Sequence, residues 1–153
     1  MTYIIAEIGV NHNGAMDLAH KLIDKAADCG VNAVKFQTFT AKSLVNPITP
    51  KVPYQLSTSS PDESHYEMIR SLELKYEDHF ELKRHCDEIN IDFLSTPYDI
   101  KSAIFLEEKL NVKYFKTASA DIVDLPLQEY IASTNKGSIV SVGMATIEEI
   151  KLV

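Results

Sequence analysis

The sequence holds little that would staple, export or anchor it. Cysteine occurs twice, as Cys29 and Cys86, with no metal-like spacing and no secretory context, so reduced thiols in a cytoplasmic protein are expected. No apolar run approaches the ~20 residues needed to cross a bilayer. The opening Met1-Thr2-Tyr3-Ile4-Ile5-Ala6-Glu7 has no basic segment and reaches a glutamate too early for a signal peptide. Positive charge is also short: 15 Lys and Arg against 22 Asp and Glu leave a net charge of -7, spread over predicted helices. That balance argues against nucleic acid and anionic membrane as partners, although a local cationic pocket remains open. No two of the five histidines show a metal-ligand spacing. A Gly-x-Gly-x-x-Gly turn is missing too, because Gly9-Val10-Asn11-His12-Asn13-Gly14 has the wrong spacing for a dinucleotide site.

What is present is a hydrophobic share of 45% in 153 residues, enough for one domain with a real core. Short β-rich runs alternate with amphipathic stretches, the pattern of a parallel sheet with crossover helices. Strands are predicted over Tyr3 to Ile8, Asn32 to Thr38, Ile91 to Ser95, Lys113 to Ala118 and Ser138 to Val142. Helices are predicted over Asp17 to Cys29 (stopped by Gly30), Asp62 to Leu74, Tyr76 to Glu88, Asp99 to Leu110 and Leu125 to Asn135. Ser60-Pro61-Asp62-Glu63 reads as a helix start, and Thr146-Ile147-Glu148-Glu149 announces another by its capping-box spacing. Thr40 to Ser60, interrupted by Pro47, Pro50 and Pro53, reads as a long loop. Five β/α alternations predict an α/β fold, the first five units of an incomplete (β/α)8 TIM-type barrel; an open doubly wound sheet is the structural competitor.

In a barrel the chemistry gathers at the C-terminal ends of the strands. Alternation along each strand puts Ile5, Glu7 and Gly9 on one face, Ala33, Lys35 and Gln37 on the matching face of the next, then Tyr114 and Lys116, and finally Ser141. A buried lysine needs a partner, so Lys35 is either satisfied by a neighbouring carboxylate or part of a site. Ser95 and Thr96 are expected to leave two hydroxyls at the mouth of the third strand, with Ser119 and Asp121 just past the fourth. Two lysines with hydroxyls form a receptor for a small dianion such as a carboxylate bearing a phosphate. His20, His79 and His85 read as exposed or half-buried helix residues, and His65 carries no assignment. His12, on the rim, either polarises a ligand or braces its turn.

The ordered blocks Ala6-Glu7-Ile8-Gly9-Val10-Asn11-His12-Asn13-Gly14, Val34-Lys35-Phe36-Gln37-Thr38, Ser95-Thr96-Pro97-Tyr98-Asp99, Lys116-Thr117-Ala118-Ser119-Ala120-Asp121 and Ser141-Val142-Gly143-Met144-Ala145-Thr146 resemble the sialic acid synthase family from end to end. That resemblance implies a (β/α) barrel followed by an antifreeze-like domain, with residues 1–153 covering only the first part of the barrel. It implies condensation of phosphoenolpyruvate with N-acetylmannosamine or a related amino sugar, by a transferase that forms a carbon-carbon bond. By motif position, Lys35, Thr96, Lys116, Ser119 and Ser141 would hold phosphoenolpyruvate, Glu7 would face the positive charge developing at C2, and Gln37 and Asp121 would contact the sugar. A manganese or magnesium ion would be bound by histidines beyond Val153, the full-length form would be a homodimer, and this chain alone would be inactive. Val142 stands where many relatives have threonine, and Asp121 where some have glutamate. The alternatives are a relative making legionaminic, pseudaminic or spore-coat sugars, or a non-catalytic half-barrel that associates through its open edge strand.

Overall fold

A computed structural model describes residues 2–56, 59–60 and 62–153. All five predicted strands are present: β1 (Ile5–Gly9), β2 (Ala33–Thr38), β3 (Asp92–Pro97), β4 (Tyr114–Thr117) and β5 (Gly137–Val140). Between them lie α1 (Met16–Asp28), α2 (Ala41–Leu44), α3 (Pro53–Leu56), α4 (His65–Ser71), α5 (Tyr76–Glu88), α6 (Ile100–Ile104), α7 (Leu125–Ser133) and, last, α8 (Ile147–Ile150). A π-helical turn, Phe105–Lys109, completes the helix begun by α6, and a 3-10 turn, Ser119–Val123, follows β4. The result is an α/β fold of successive β/α units with every ladder parallel, a partial barrel.

β1, β2 and β3 form one hydrogen-bonded sheet in that order, and β4 with β5 a second, with β3 and β4 side by side. Ile5, Ala33 and Asp92 stand level, and so do Glu7, Lys35 and Leu94. After Glu7 the register slips, so that Gly9 rather than Ile8 faces Phe36. This bulge corrects the simple alternation expected for β1, since an extra residue breaks the period of two. Among the described residues the far edge of β5 has no ladder partner.

One face of the sheets carries the apolar layer. Val34, Phe36, Phe93 and Phe115 project against Ala19, Ile23, Leu82 and Cys86 of α1 and α5, all nearly or fully buried. Phe36 and Phe93 stack with centroids 5.5 Å apart. Each such ring contributes about 2 kcal/mol or more by leaving water. Burial also pushes the Cys86 thiol up to about 12, which makes it inert packing. Three helices end on asparagine in the left-handed region, at Asn90, Asn111 and Asn135, where glycine would otherwise be used.

Two expectations are corrected here. The long loop after β2 contains α2 and α3. The cap of the following helix is Ser64, not Ser60: Ser64 and Glu67 exchange both bonds of a capping box, and Asp62 lies in a turn, while Pro61 lies outside the described residues. Thr146 and Glu149 form the expected box at α8.

Candidate functional site

The inner face, opposite the apolar layer, is polar. Lys35 is almost wholly buried, and its Nζ lies 2.8 Å from Glu7 Oε2, a carboxylate that is itself largely exposed. Of the alternatives raised by the sequence, the partnering carboxylate is present, and it belongs to the same polar face as the lysine. Two strands farther round, on β4, Lys116 Nζ donates to Ser141 Oγ and to the Thr117 carbonyl. Burial lowers the Lys116 ammonium, the Glu7 carboxylate opposes that, and the Lys35 charge adds to it. Mutual influence of this kind brings the two lysines and the glutamate into one electrostatic neighbourhood.

The hydroxyls divide. Thr96 is inward and buried, and its Oγ1 has no hydrogen-bond partner among the described residues. Ser95, expected beside it at the mouth, instead faces the helices, because it shares its side of β3 with Phe93. Its Oγ lies 2.6 Å from Thr38 Oγ1. Ser119 Oγ accepts the Gly143 N–H at 3.1 Å, tying the turn after β4 to the turn after β5. Gln37 lies against β1, where a methyl on Gly9 would sit 3.6 Å from its Nε2.

Asp121 is placed by the 3-10 turn, in which its N–H bonds the Ala118 carbonyl and its own carbonyl takes the Gln128 amide. Its Oδ2 is buried and unpartnered among the described residues. Burial and then the Asp124 charge hold this carboxyl above the usual range. Tyr98 completes the cluster and was missed in the sequence reading. Burial raises its phenol, and the Asp121 and Glu7 carboxylates add to the effect. Its place one residue past the β3-closing Pro97 was the available signal.

Two of the five histidines, His12 and His79, are buried. His12 is buried, its Nδ1 accepts the Gly14 N–H at 3.0 Å, and its ring lies 6.0 Å from that of Phe36, so it braces the turn. Burial lowers its pKa, and the nearby His79 lowers it further. His79 is fully buried, which corrects its reading as a surface residue. Its Nδ1–H donates to the Lys75 carbonyl at 2.8 Å, leaving Nε2 to accept from Thr38 Oγ1 at 2.9 Å. Among the described residues no group of three or more His, Cys, Asp or Glu side chains is arranged to hold a metal ion. None of the described helices is long and apolar enough to cross a membrane.

Residues 22–153 match the model of the NeuB family. The chain is 49% identical to N,N'-diacetyllegionaminic acid synthase of Campylobacter jejuni over 98% of its own length and 45% of that protein's. It is 34% identical to human N-acetylneuraminate-9-phosphate synthase, over 99% of this chain and 42% of that one. Among solved structures, the N-acetylneuraminic acid synthetase of Leptospira borgpetersenii, in complex with citrate, superposes with a TM-score of 0.82 at 31% identity, covering 98% of this chain and 47% of that one. The chain thus spans about half the length of the curated relatives it matches. With inner-face residues standing on successive parallel strands and a family model matched over most of its length, this chain belongs to the NeuB family.

Proposed function

We propose that this chain supplies the phosphoenolpyruvate half-site of an enzyme that condenses phosphoenolpyruvate with N-acetylmannosamine or a related acetamido sugar, giving a nonulosonic acid and phosphate. The observation that carries the reading is the convergence of Lys35 and Lys116 on one face around Glu7. Two ammonium groups match a ligand that bears a carboxylate and a phosphate, and Thr96, Ser119 and Ser141 add hydroxyl donors around them. Thr96 Oγ1, buried without a partner among the described residues, is a donor waiting for an acceptor.

In this reading C3 of the enolpyruvate attacks the sugar aldehyde and positive charge develops at C2. Glu7 faces that charge, an interaction stronger in the transition state than in the ground state. Water adds at C2 and phosphate leaves with cleavage of its C–O bond. Gln37 and Asp121 orient the sugar. The similarity to the Campylobacter enzyme supports including di-N-acetylated acceptors in the substrate class. The described residues do not fit a metal centre, so a manganese or magnesium ion would need other ligands. Residues 1–153 alone would bind phosphoenolpyruvate without turning it over, and the full-length form would be a cytoplasmic homodimer.

Calorimetric titration with phosphoenolpyruvate tests the reading. Binding to the wild-type chain should weaken about tenfold or more, a cost of ~1.4 kcal/mol or above, in both Lys35→Ala and Lys116→Ala. No binding to the wild type, or equal binding by all three, favours a non-catalytic module. Sugar-acid product formed by residues 1–153 alone would show that the half-site is already a complete enzyme.

A further inference from the structure

Beyond Gly9 a cleft of about 690 Å3 opens between the β1–α1 turn and the residues of and around α4. Its walls include Val10, Asn11 and Asn13 on one side and Glu63, Met68 and Leu72 on the other. The turn is rigid: Asn11 and Asn13 donate their backbone N–H groups to Ile8 and Val10, and His12 between them is buried. With His12 buried, Asn11 and Asn13 are exposed and line the cleft. The two walls are pinned together at Gly14, where any Cβ would lie 2.2 Å from the Ser71 carbonyl oxygen.

The cleft offers no free charge among its described residues. Its acid, Glu63, is paired with Lys51 at 3.3 Å, and that ammonium also donates to the Ser60 carbonyl at 2.8 Å. A cation would have to compete with Lys51 for Glu63, and an anion would face Glu63 with no free lysine to offset it. The neutral polar groups are the carboxamides of Asn11 and Asn13, each able to donate and accept, with Gln55, Ser59 and Ser71, over an apolar wall of Val10, Met68 and Leu72. That combination suits a neutral group with an amide and a methyl, and the volume is that of a small-molecule site.

We propose that this cleft receives an acetamido or hydroxyl substituent of the amino-sugar acceptor, so that Asn11 and Asn13 help to set which acceptor is used. The inference rests on the function proposed above. Gln37, which contacts the sugar in that reading, lies against Gly9 at the edge of the same turn. A site built to hydrogen-bond a substituent discriminates against the analogue that lacks it, because its polar groups are then left unpaired.

The test uses the natural full-length protein that contains this chain, assayed with N-acetylmannosamine and with its 4-acetamido-4-deoxy analogue. Asn11→Ala and Asn13→Gly remove the amides, and glycine preserves the left-handed turn at position 13. The ratio of kcat/KM between the two acceptors should shift by about tenfold in the double variant, while the KM for phosphoenolpyruvate holds steady. Turnover of both acceptors with an unchanged ratio overturns the cleft assignment alone. Failure of the wild type to use any amino sugar overturns the cleft and the proposed function together.

Discussion

Glu7 and Lys35 face each other across β1 and β2 in register, with 2.8 Å between Oε2 and Nζ, the lysine buried and the carboxylate largely in water. In Glu7→Gln the lysine keeps a hydrogen-bonding neighbour but loses its counter-charge. Phosphoenolpyruvate should therefore bind residues 1–153 as tightly as before or more so. Turnover by the full-length protein should fall by about a hundredfold or more, the scale for losing a group aimed at transition-state charge. Calorimetry on one and a phosphate-release assay on the other separate the two effects.

Asp121→Asn trades function for stability. Because burial and Asp124 raise the folded carboxyl above its unfolded value, ionising it at neutral pH works against the fold. The amide removes that burden, so the variant should be more stable than wild type at pH 7 and lose its advantage as pH falls below the carboxylate range. Urea midpoints at the two pH values provide the comparison. Sugar turnover in the full-length variant should drop.

His12 and His79 both have folded pKa values depressed by burial. A depressed imidazole binds fewer protons folded than unfolded. Its stabilising contribution is thus complete above the ordinary value near 6.5 and lost as pH falls toward the folded one. Stability should decline from pH 7 to pH 5 with a slope of up to about 1.4 kcal/mol per pH unit for each histidine. His79→Leu should flatten the slope by one histidine's share. It should also cost about 1–3 kcal/mol at pH 7, since Thr38 and the Lys75 carbonyl lose a buried partner.

Gly14→Ala tests the pin between turn and helix. Position 14 has φ of +72°, and its new methyl would strike the Ser71 carbonyl oxygen. Left-handed strain plus a backbone clash should cost about 2–4 kcal/mol by chemical denaturation.

The outer edge of β5 carries unpaired backbone groups beside Val140, which is partly exposed. Residues 1–153 should therefore self-associate with rising concentration in sedimentation experiments. A stable monomer throughout would remove the edge as an interaction surface.

The strand order and the inward lysines were legible because alternation in Val34-Lys35-Phe36-Gln37 leaves only one face for the charges. The cap was expected at Ser60, although the same spacing recurs four residues on. Ser60–Glu63 and Ser64–Glu67 have the same spacing, and only the second is followed by an uninterrupted helical turn. His79 could have been recognised, since it lies three and seven residues before Leu82 and Cys86 on the buried stripe of α5. Ser95 could have been too, had its parity with Phe93 outweighed its position at the strand end. The bulge in β1 and the cleft beside Asn11 depend on contacts between distant segments, for which local pattern gives no warning.

Behind the polar face, Lys75, His79, Thr38 and Ser95 form one hydrogen-bonded series from the start of α5 to β2 and on to β3. Thr38 and Ser95 are chain neighbours of Gln37 and Thr96. The tips that the proposed function assigns to substrate are in this way clamped from the rear by Thr38 and Ser95. A substitution deep under α5 would consequently surface as a kinetic defect, with the ligand-facing residues all intact.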